Sequence, residues 1–352
     1  MLHSWVTVYI TLFFALLIVL IGTTCNAFLV FIIFKSPRLK GENHKLIATL
    51  GISDFLQSCN MVFMIVSLVN GGAWTLDEVV CKVNAFLITE LLLASMLTIC
   101  VISVNRYLKI VKPRVYCSVF NSKTISVIIL LIWVLPLLFS VPPLLGWSDY
   151  AFKPSKCICL VESDDFNSYG IVLGCATLGI NVPLIIFCYF NVFRAVGVHS
   201  TRMDCHRHQR CINVEEIRIT QTLLIVIAAF LVCFLPITIV TLAQSFMSPG
   251  RIPAWIELIT VMLAFTNQAI DPVIYGFCNT QYRRAMYRLT YKVFLNKLPS
   301  LTLSRGAATM NFGTTRTVQC RYSVGAALLV LFLTTEDELA GRRDFVRRNT
   351  IN

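Results

Sequence analysis

The sequence predicts an all-α membrane protein: a seven-transmembrane helix bundle plus a short amphipathic cytoplasmic helix. Three observations lead there. Of the 352 residues, 57% are hydrophobic and only 14% are charged, against about 25% charged in soluble domains. Mean hydropathy is +0.74. The charges also fall in blocks, separated by windows that each supply the ~20 apolar residues a membrane helix needs.

Taken in order, residues 1–34 carry no Asp, Glu, Lys or Arg. Residues 46–76 carry only Asp54, and residues 83–104 only Glu90. Windows 124–148, 166–193 and 219–250 carry none, and 258–282 carries only Asp271. Barrel strands would be about 10 residues long with alternating polarity, a pattern not seen here. Past residue 282, Tyr282, Met286, Leu289 and Val293 recur at helical spacing opposite Arg283, Arg284, Arg288 and Lys292, which predicts a helix lying along the membrane surface. From Pro299 the chain is rich in Ser, Thr, Gly and Arg and is expected to be disordered. Its apolar stretch 324–333 is too short to span. The expected organisation is therefore residues 1–4 as a short extracellular N-terminus, 5–278 as the bundle, 279–295 as the surface helix and 296–352 as a cytoplasmic tail.

Lys and Arg set the orientation. The segments after the first, third and fifth helices, together with the tail, hold 26 of them. The opposite side holds four: Lys82, Lys153, Lys156 and Arg251. This places the N-terminus outside and the C-terminus in the cytoplasm of a multi-pass plasma-membrane protein. The net charge of +12 then belongs to the membrane surface; no basic stripe with interleaved aromatics points to nucleic acid. A cleavable signal peptide is not expected, because the start lacks basic residues and the apolar run is too long. No internal repeat suggests an inverted-repeat transporter. Among 14 cysteines, Cys81, Cys157 and Cys159 fall in the oxidising outer segments.

The motifs narrow the class. The third helix ends in Asn105-Arg106-Tyr107, and the sixth carries Phe230 and then Cys233-Phe234-Leu235-Pro236. The seventh reads Asn267-Gln-Ala-Ile-Asp271-Pro272-Val-Ile-Tyr275. Asn26, Asp54, Trp133 and Cys81 stand in or at the first four helices. In this order and spacing, over about residues 22–295, the chain resembles the rhodopsin-like family of G-protein-coupled receptors. Its neighbourhood within that family is opsin- and melatonin-receptor-like. The resemblance implies a heterotrimeric G protein as partner, with arrestin and receptor kinases acting on the tail.

Each motif has a physical reason. Arg106 is a charge at the end of a membrane helix and needs a partner; the resemblance supplies Glu216 at the start of the sixth helix. Release of that pair would open the cytoplasmic face. Asn105 stands where the family usually has an acid, so one restraint on Arg106 is neutral, which points to raised basal activity. Asp54 and Asp271 cannot both ionise cheaply at close range. They share a proton, or they hold a cation; the resemblance implies a sodium site of Asp54, Ser95, Asn267 and Asp271. Tyr189 and Tyr275 match the tyrosines that approach Arg106, although Tyr189 follows Pro183 by six residues where the family has eight. Cys81 is implied to pair with the second outer loop, where Cys157 and Cys159 both qualify; spacing to the fifth helix favours Cys159. Glu90, an intramembrane acid, is by default a functional candidate; it is expected to point away from the ligand site, and the alternative is a structural hydrogen bond to the fourth helix.

The ligand site follows by position: Ile88, Thr89, Leu92, Phe234, Ile237, Thr238, Thr241, Val261 and Phe265, with Gln244. Ile88 stands where amine receptors carry an acid. Phe265 stands where opsins carry the retinal lysine, so no retinal Schiff base is expected there. No cofactor or resident metal is implied beyond an allosteric sodium ion; Cys205-His206-Arg-His208-Gln-Arg-Cys211 reads as a solvated basic loop. The expected ligand is small and largely uncharged. Alternatives are a basic peptide drawn to Asp149, Glu162, Asp164, Asp165 and Glu257, a constitutively active receptor, or a cation-conducting protein. No nucleophile–base set or phosphate loop appears in the spans, which argues against an enzyme.

Overall fold

The computed structural model describes residues 5–39, 41–162, 168–201, 214–246 and 251–297. Six helices there are long and apolar enough to cross a membrane: Trp5–Lys35, Glu42–Val69, Glu78–Val111, Ser122–Leu145, Ile219–Gln244 and Ala254–Cys278. The fifth crossing is built in pieces. Ser168–Gly174 is α-helical, Cys175–Ile180 is a π-helix and Asn181–Thr201 returns to α-helix. Pro183 explains the break. It has no N–H to donate one turn back, and its ring crowds that turn, so the preceding turn widens. The seven crossings are called spans 1 to 7 below.

Span 3 is the hub. In its apolar window 72% of residues are buried, against 22% in span 4, which is therefore peripheral. Spans 1 and 2 approach closely at Gly22, where any Cβ would collide with the Ser58 side chain. Asn121 caps span 4, its Oδ1 accepting from the backbone N–H of Lys123 at 3.1 Å and Thr124 at 2.9 Å; such a cap contributes about 1 kcal/mol.

Between spans 4 and 5 the expected loop holds strand structure that an all-helical reading omits. Strands β1 (Tyr150–Lys153) and β2 (Ile158–Val161) pair antiparallel, with Tyr150 opposite Val161 and Lys153 opposite Ile158. Gly146 leads into this hairpin with φ of +94°, a backbone region glycine enters without a Cβ clash. After span 7, Thr280–Lys297 forms the surface helix. Tyr282 and Ala285 are buried, Met286 and Leu289 pack on the core, and Arg284 and Arg288 are exposed. The 205–211 Cys/His group and the stretch 324–333 lie outside the described residues, as does most of the segment joining spans 5 and 6.

The core divides along the bundle axis. One apolar cluster surrounds Ile99, Ile102, Tyr189, Phe230, Tyr275 and Tyr282. A second contains Met64, Ile88, Cys157, Ile158, Leu258, Val261 and Phe265. The second lies at the hairpin end of the bundle and the first towards the end carrying Arg106.

Candidate functional site

Three sets of polar residues sit within this apolar frame. At one end, Arg106 is among the largest fully buried side chains, at 1% exposure. Tyr189 and Tyr282 both lie within electrostatic range of it. Tyr275 stacks near Tyr282 with ring centroids 5.8 Å apart. The hydroxyls of Tyr275 and Tyr282 are buried without a hydrogen-bond partner among the described residues, while Tyr189 lies within hydrogen-bond reach of Ser103. Both side-chain polar atoms of Asn105 are likewise without a partner there. Tyr189 thus reaches the Arg106 region across the widened fifth span. Tyr107 faces elsewhere, against Phe187 at 5.7 Å with Lys112 over its ring. Glu216 belongs to the helix Val214–Phe246, but its side chain lies outside the described residues. Tyr282 is the member that the sequence pattern assigned to a membrane-surface stripe.

Midway along the bundle, Asp54 and Asp271 interact as a facing acid pair. Ser95 Oγ donates to Asp54 Oδ1 at 3.3 Å, and Asn267 Nδ2 donates to Asp271 Oδ2 at 3.3 Å. Asn26 Nδ2 donates to the Gly22 and Gln268 carbonyls, both at 2.8 Å. Asn26 Oδ1 and Asn267 Oδ1 remain buried without a hydrogen-bond partner among the described residues, and the Asp54 and Asp271 carboxyls lie within hydrogen-bond reach of each other. An all-oxygen set with two carboxylates is the donor chemistry of a hard cation, so these residues fit one. Pro272 is buried beside them in span 7.

At the hairpin end, Cys81 and Cys159 form a disulfide with Cα atoms 5.5 Å apart. Cys157 is free and buried, its Sγ 3.6 Å from the Pro154 carbonyl. The disulfide locks β2 onto span 3. Asn84 adds a second lock: its Oδ1 accepts from Cys159 N at 3.4 Å, and its Nδ2 donates to Asn60 Oδ1 at 3.1 Å. Glu90 does face span 4, where Ser140 Oγ donates to it at 2.6 Å; the Ser140 carbonyl accepts from Tyr150 OH at 2.8 Å.

Of the residues assigned to a ligand site, Ile88, Val261 and Phe265 are buried in one cluster with Cys157 and Ile158, and Ile237 packs on it. Leu92 and Phe234 pack on the neighbouring cluster, with Phe234 4.5 Å from the Phe230 ring centroid. The Thr89 and Thr238 hydroxyls donate to the Ala85 and Phe234 carbonyls in their own helices. Thr241 is exposed.

The acids read from sequence as a rim are differently placed. Glu257 is buried beneath the hairpin turn: Ser155 Oγ donates to its Oε2 at 2.6 Å, and Lys156 Nζ lies 4.0 Å from the same oxygen. Burial draws the Lys156 ammonium below the ordinary lysine value, with nearby Lys153 acting the same way and Glu257 opposing. Asp149 pairs with Lys82 at 3.3 Å and Glu162 with Lys153 at 3.7 Å. Asp164 and Asp165 lie outside the described residues. Sequence reasoning missed the Lys156–Glu257 contact, because nothing local links residues a hundred positions apart.

A bundle of apolar helices with an arginine buried at one end, an acid pair at mid-depth and a disulfide-locked hairpin at the other end is the architecture of a receptor. The family description "7 transmembrane receptor (rhodopsin family)" matches residues 25–275, and the chain belongs to that family, which comprises receptors and not enzymes. The protein is accordingly a multi-pass membrane protein. It is 25% identical over 287 residues to melatonin receptor type 1C of Gallus gallus, covering 80% of this chain and 82% of that one. It is 26% identical over 285 residues to melanopsin-B of Xenopus laevis, covering 78% of this chain and 53% of the other; it thus spans about half the length of that relative. The fold is similar to the crystal structure of squid rhodopsin, with a TM-score of 0.74 at 22% identity, covering 83% of this chain and 87% of that one.

Proposed function

We propose that this receptor sits in the plasma membrane with its hairpin end outside, binds a small, largely uncharged ligand there, and activates a heterotrimeric G protein at its Arg106 end. The Lys and Arg distribution supports the orientation. The observation that carries the signalling reading is the burial of Arg106 near Tyr189 and Tyr282, with the Tyr275 and Tyr282 hydroxyls left without a partner among the described residues. Buried hydroxyls left unbonded are costly. A rearrangement that re-pairs them, directly or through water, is therefore available as the second state of a two-state switch. Glu216 is the proposed inactive-state partner of Arg106.

Asp54, Ser95, Asn267 and Asp271 would hold a sodium ion in this reading. Such an ion supplies the positive charge that lets both carboxylates stay ionised. Asn26 would contribute its orphaned oxygen from span 1. Arrestin and receptor kinases are proposed partners of the Ser/Thr-bearing tail. A second reading, signalling without ligand, rests on one observation: Asn105 makes no side-chain hydrogen bond among the described residues and so adds no restraint to Arg106.

The direct test is guanine-nucleotide exchange on added G proteins in membranes containing the receptor. Exchange above that of receptor-free membranes, lost in Arg106→Ala at equal expression, is the expected result. Equal exchange with and without the receptor across all G-protein classes and a ligand library would overturn the reading.

A further inference from the structure

Burying a lysine without close partners is among the more expensive arrangements a fold makes, and the hairpin turn does so with Lys156. Its side chain is nine-tenths buried. An ammonium has three donors, yet the acceptors around this one are distant: Gln244 Oε1 at 3.4 Å and Glu257 Oε2 at 4.0 Å. Glu257 is better served, because that same oxygen accepts from Ser155 Oγ at 2.6 Å. The cation therefore retains unspent donor capacity, and the neighbouring carboxylate has one of its oxygens engaged by Ser155.

Below it the packed side chains are apolar. Glu257, Val261 and Phe265 recur every four residues and so stack down one face of span 7, with Phe265 about 12 Å beneath Glu257 at the helical rise. Gln244 and Ile237 stand two turns apart on span 6. Val261, Phe265, Ile88 and Ile158 share one buried cluster, with Ile237 packed on it. A single polar end above a deep apolar face matches an amphiphile of the same polarity.

We propose that Lys156 anchors the anionic head of a small lipophilic monocarboxylate whose apolar body lies against Ile88, Ile237, Val261 and Phe265. This rests on the ligand-site reading above and amends it at one end only, by giving a largely uncharged ligand one acidic terminus. A turned Gln244 amide supplies a further donor to the head, and Ser155 Oγ becomes one when its hydroxyl turns from Glu257. Glu257 holds the place of that carboxylate in the ligand-free chain. A carboxylate head would share Lys156 with Glu257, and an amine head would share Glu257 with Lys156, each against like-charge repulsion; the spare donors of Lys156 favour the carboxylate. A neutral alcohol would give the ammonium an acceptor but no compensating charge.

The test uses the full-length receptor in lipid nanodiscs with three probes of equal chain length: decanoate, decanol and decylamine. Direct binding is measured by competition against radiolabelled decanoate, and thermal unfolding provides a second readout. Decanoate is expected to bind at least about tenfold more tightly than decanol, the factor that one charge-assisted hydrogen bond supplies. Lys156→Met, which keeps length and removes charge, is expected to erase that preference, while Lys156→Arg retains it. If Lys156→Met does not fold, the preference in the unmutated receptor and its retention in Lys156→Arg still decide. Equal binding of decanoate and decanol, tighter binding of decylamine, or unchanged decanoate binding in a folded Lys156→Met would overturn the proposal. Nucleotide exchange separates it from the receptor reading. Lys156-dependent decanoate binding without exchange on any G protein would leave the anchor standing and remove the signalling function. Exchange driven by other compounds, with no decanoate binding, would do the reverse.

Discussion

The two ends of the bundle treat buried polar groups in opposite ways. At the hairpin end most are closely paired, with Lys156 the exception. Ser140 bonds Glu90, Tyr150 bonds the Ser140 carbonyl, Asn84 bonds Asn60 and the Cys159 amide, Ser155 bonds Glu257, and a disulfide fixes β2 to span 3. Towards the Arg106 end and at mid-depth they are not. Asn105, Tyr275 and Tyr282, with the side-chain oxygens of Asn26 and Asn267, are buried without a hydrogen-bond partner among the described residues. An unsatisfied buried group costs about 1–3 kcal/mol, so this half holds several groups whose energy falls if the helices rearrange. At the hairpin end only the Lys156 ammonium offers a comparable incentive. The contrast describes a rigid receiving end joined to a re-pairable transmitting end.

The hairpin lock offers the largest effect. Cys81→Ser opens a bridge that closes 78 residues of chain. Loss of a native disulfide costs roughly 2–5 kcal/mol, and surface expression or ligand response should be abolished. Cell-surface labelling together with ligand-stimulated exchange checks this. Normal values in both would mean the hairpin end owes its rigidity to hydrogen bonds alone, and the contrast would weaken.

At the transmitting end, Glu216→Ala should raise basal nucleotide exchange several-fold by removing the proposed restraint on Arg106, with expression unchanged. Exchange at or below the unmutated level would place the restraint elsewhere, with the tyrosines as the next residues to test.

The two halves also differed in how far sequence foretold them. The charge-free windows predict the crossings, because burying one ion in a bilayer outweighs any local preference. The Arg106, Asp54 and Asp271 motifs are legible for the same reason: an isolated charge in an apolar run stands out. Pro183 marks a disturbance in span 5, but not that a whole turn widens to a π-helix. The hairpin was read as loop because two strands of four residues give too short an alternation. Glu257 was read as a rim acid, and its burial depends on Ser155 and Lys156 folding back over it. Tyr282 satisfies an amphipathic pattern equally well whether its ring faces lipid or Tyr275. Tertiary contacts, which one-dimensional spacing does not encode, decide all three.

A milder test addresses the middle of the bundle. If the orphaned oxygens around Asp54 and Asp271 hold a cation, sodium should lower basal exchange relative to potassium at equal ionic strength. Asp271→Asn should shrink that effect by removing one of the two carboxylates. Exchange that ignores sodium in both proteins would reduce the pair to a shared proton and leave the transmitting half without an ion to stabilise its resting state.

The floor of the receiving end comes next. Phe265→Ala removes a buried ring from the cluster with Ile88 and Val261. A ligand seated against that floor should lose binding by tenfold or more, whereas Asp164→Asn should change little. The reverse outcome, with the rim acid decisive and Phe265 indifferent, would favour a basic peptide.

The smallest effect concerns the hydrogen bonds that hold the receiving end. Ser140 serves two partners at once: its hydroxyl donates to Glu90 at 2.6 Å, and its carbonyl accepts from Tyr150 at 2.8 Å. Ser140→Ala removes the first and keeps the second, since the carbonyl belongs to the backbone. Glu90, 6% exposed, then loses its bond from span 4. The cost should be about 1–3 kcal/mol, read as a drop of a few degrees in the unfolding temperature of the purified receptor. Glu90→Gln should cost less, because the amide oxygen still accepts from Ser140. Basal exchange should not move in either variant, since neither touches the transmitting half. If Ser140→Ala raised basal exchange as Glu216→Ala is expected to, the hairpin end would be part of the switch, and the division between a fixed and a re-pairable half would fail.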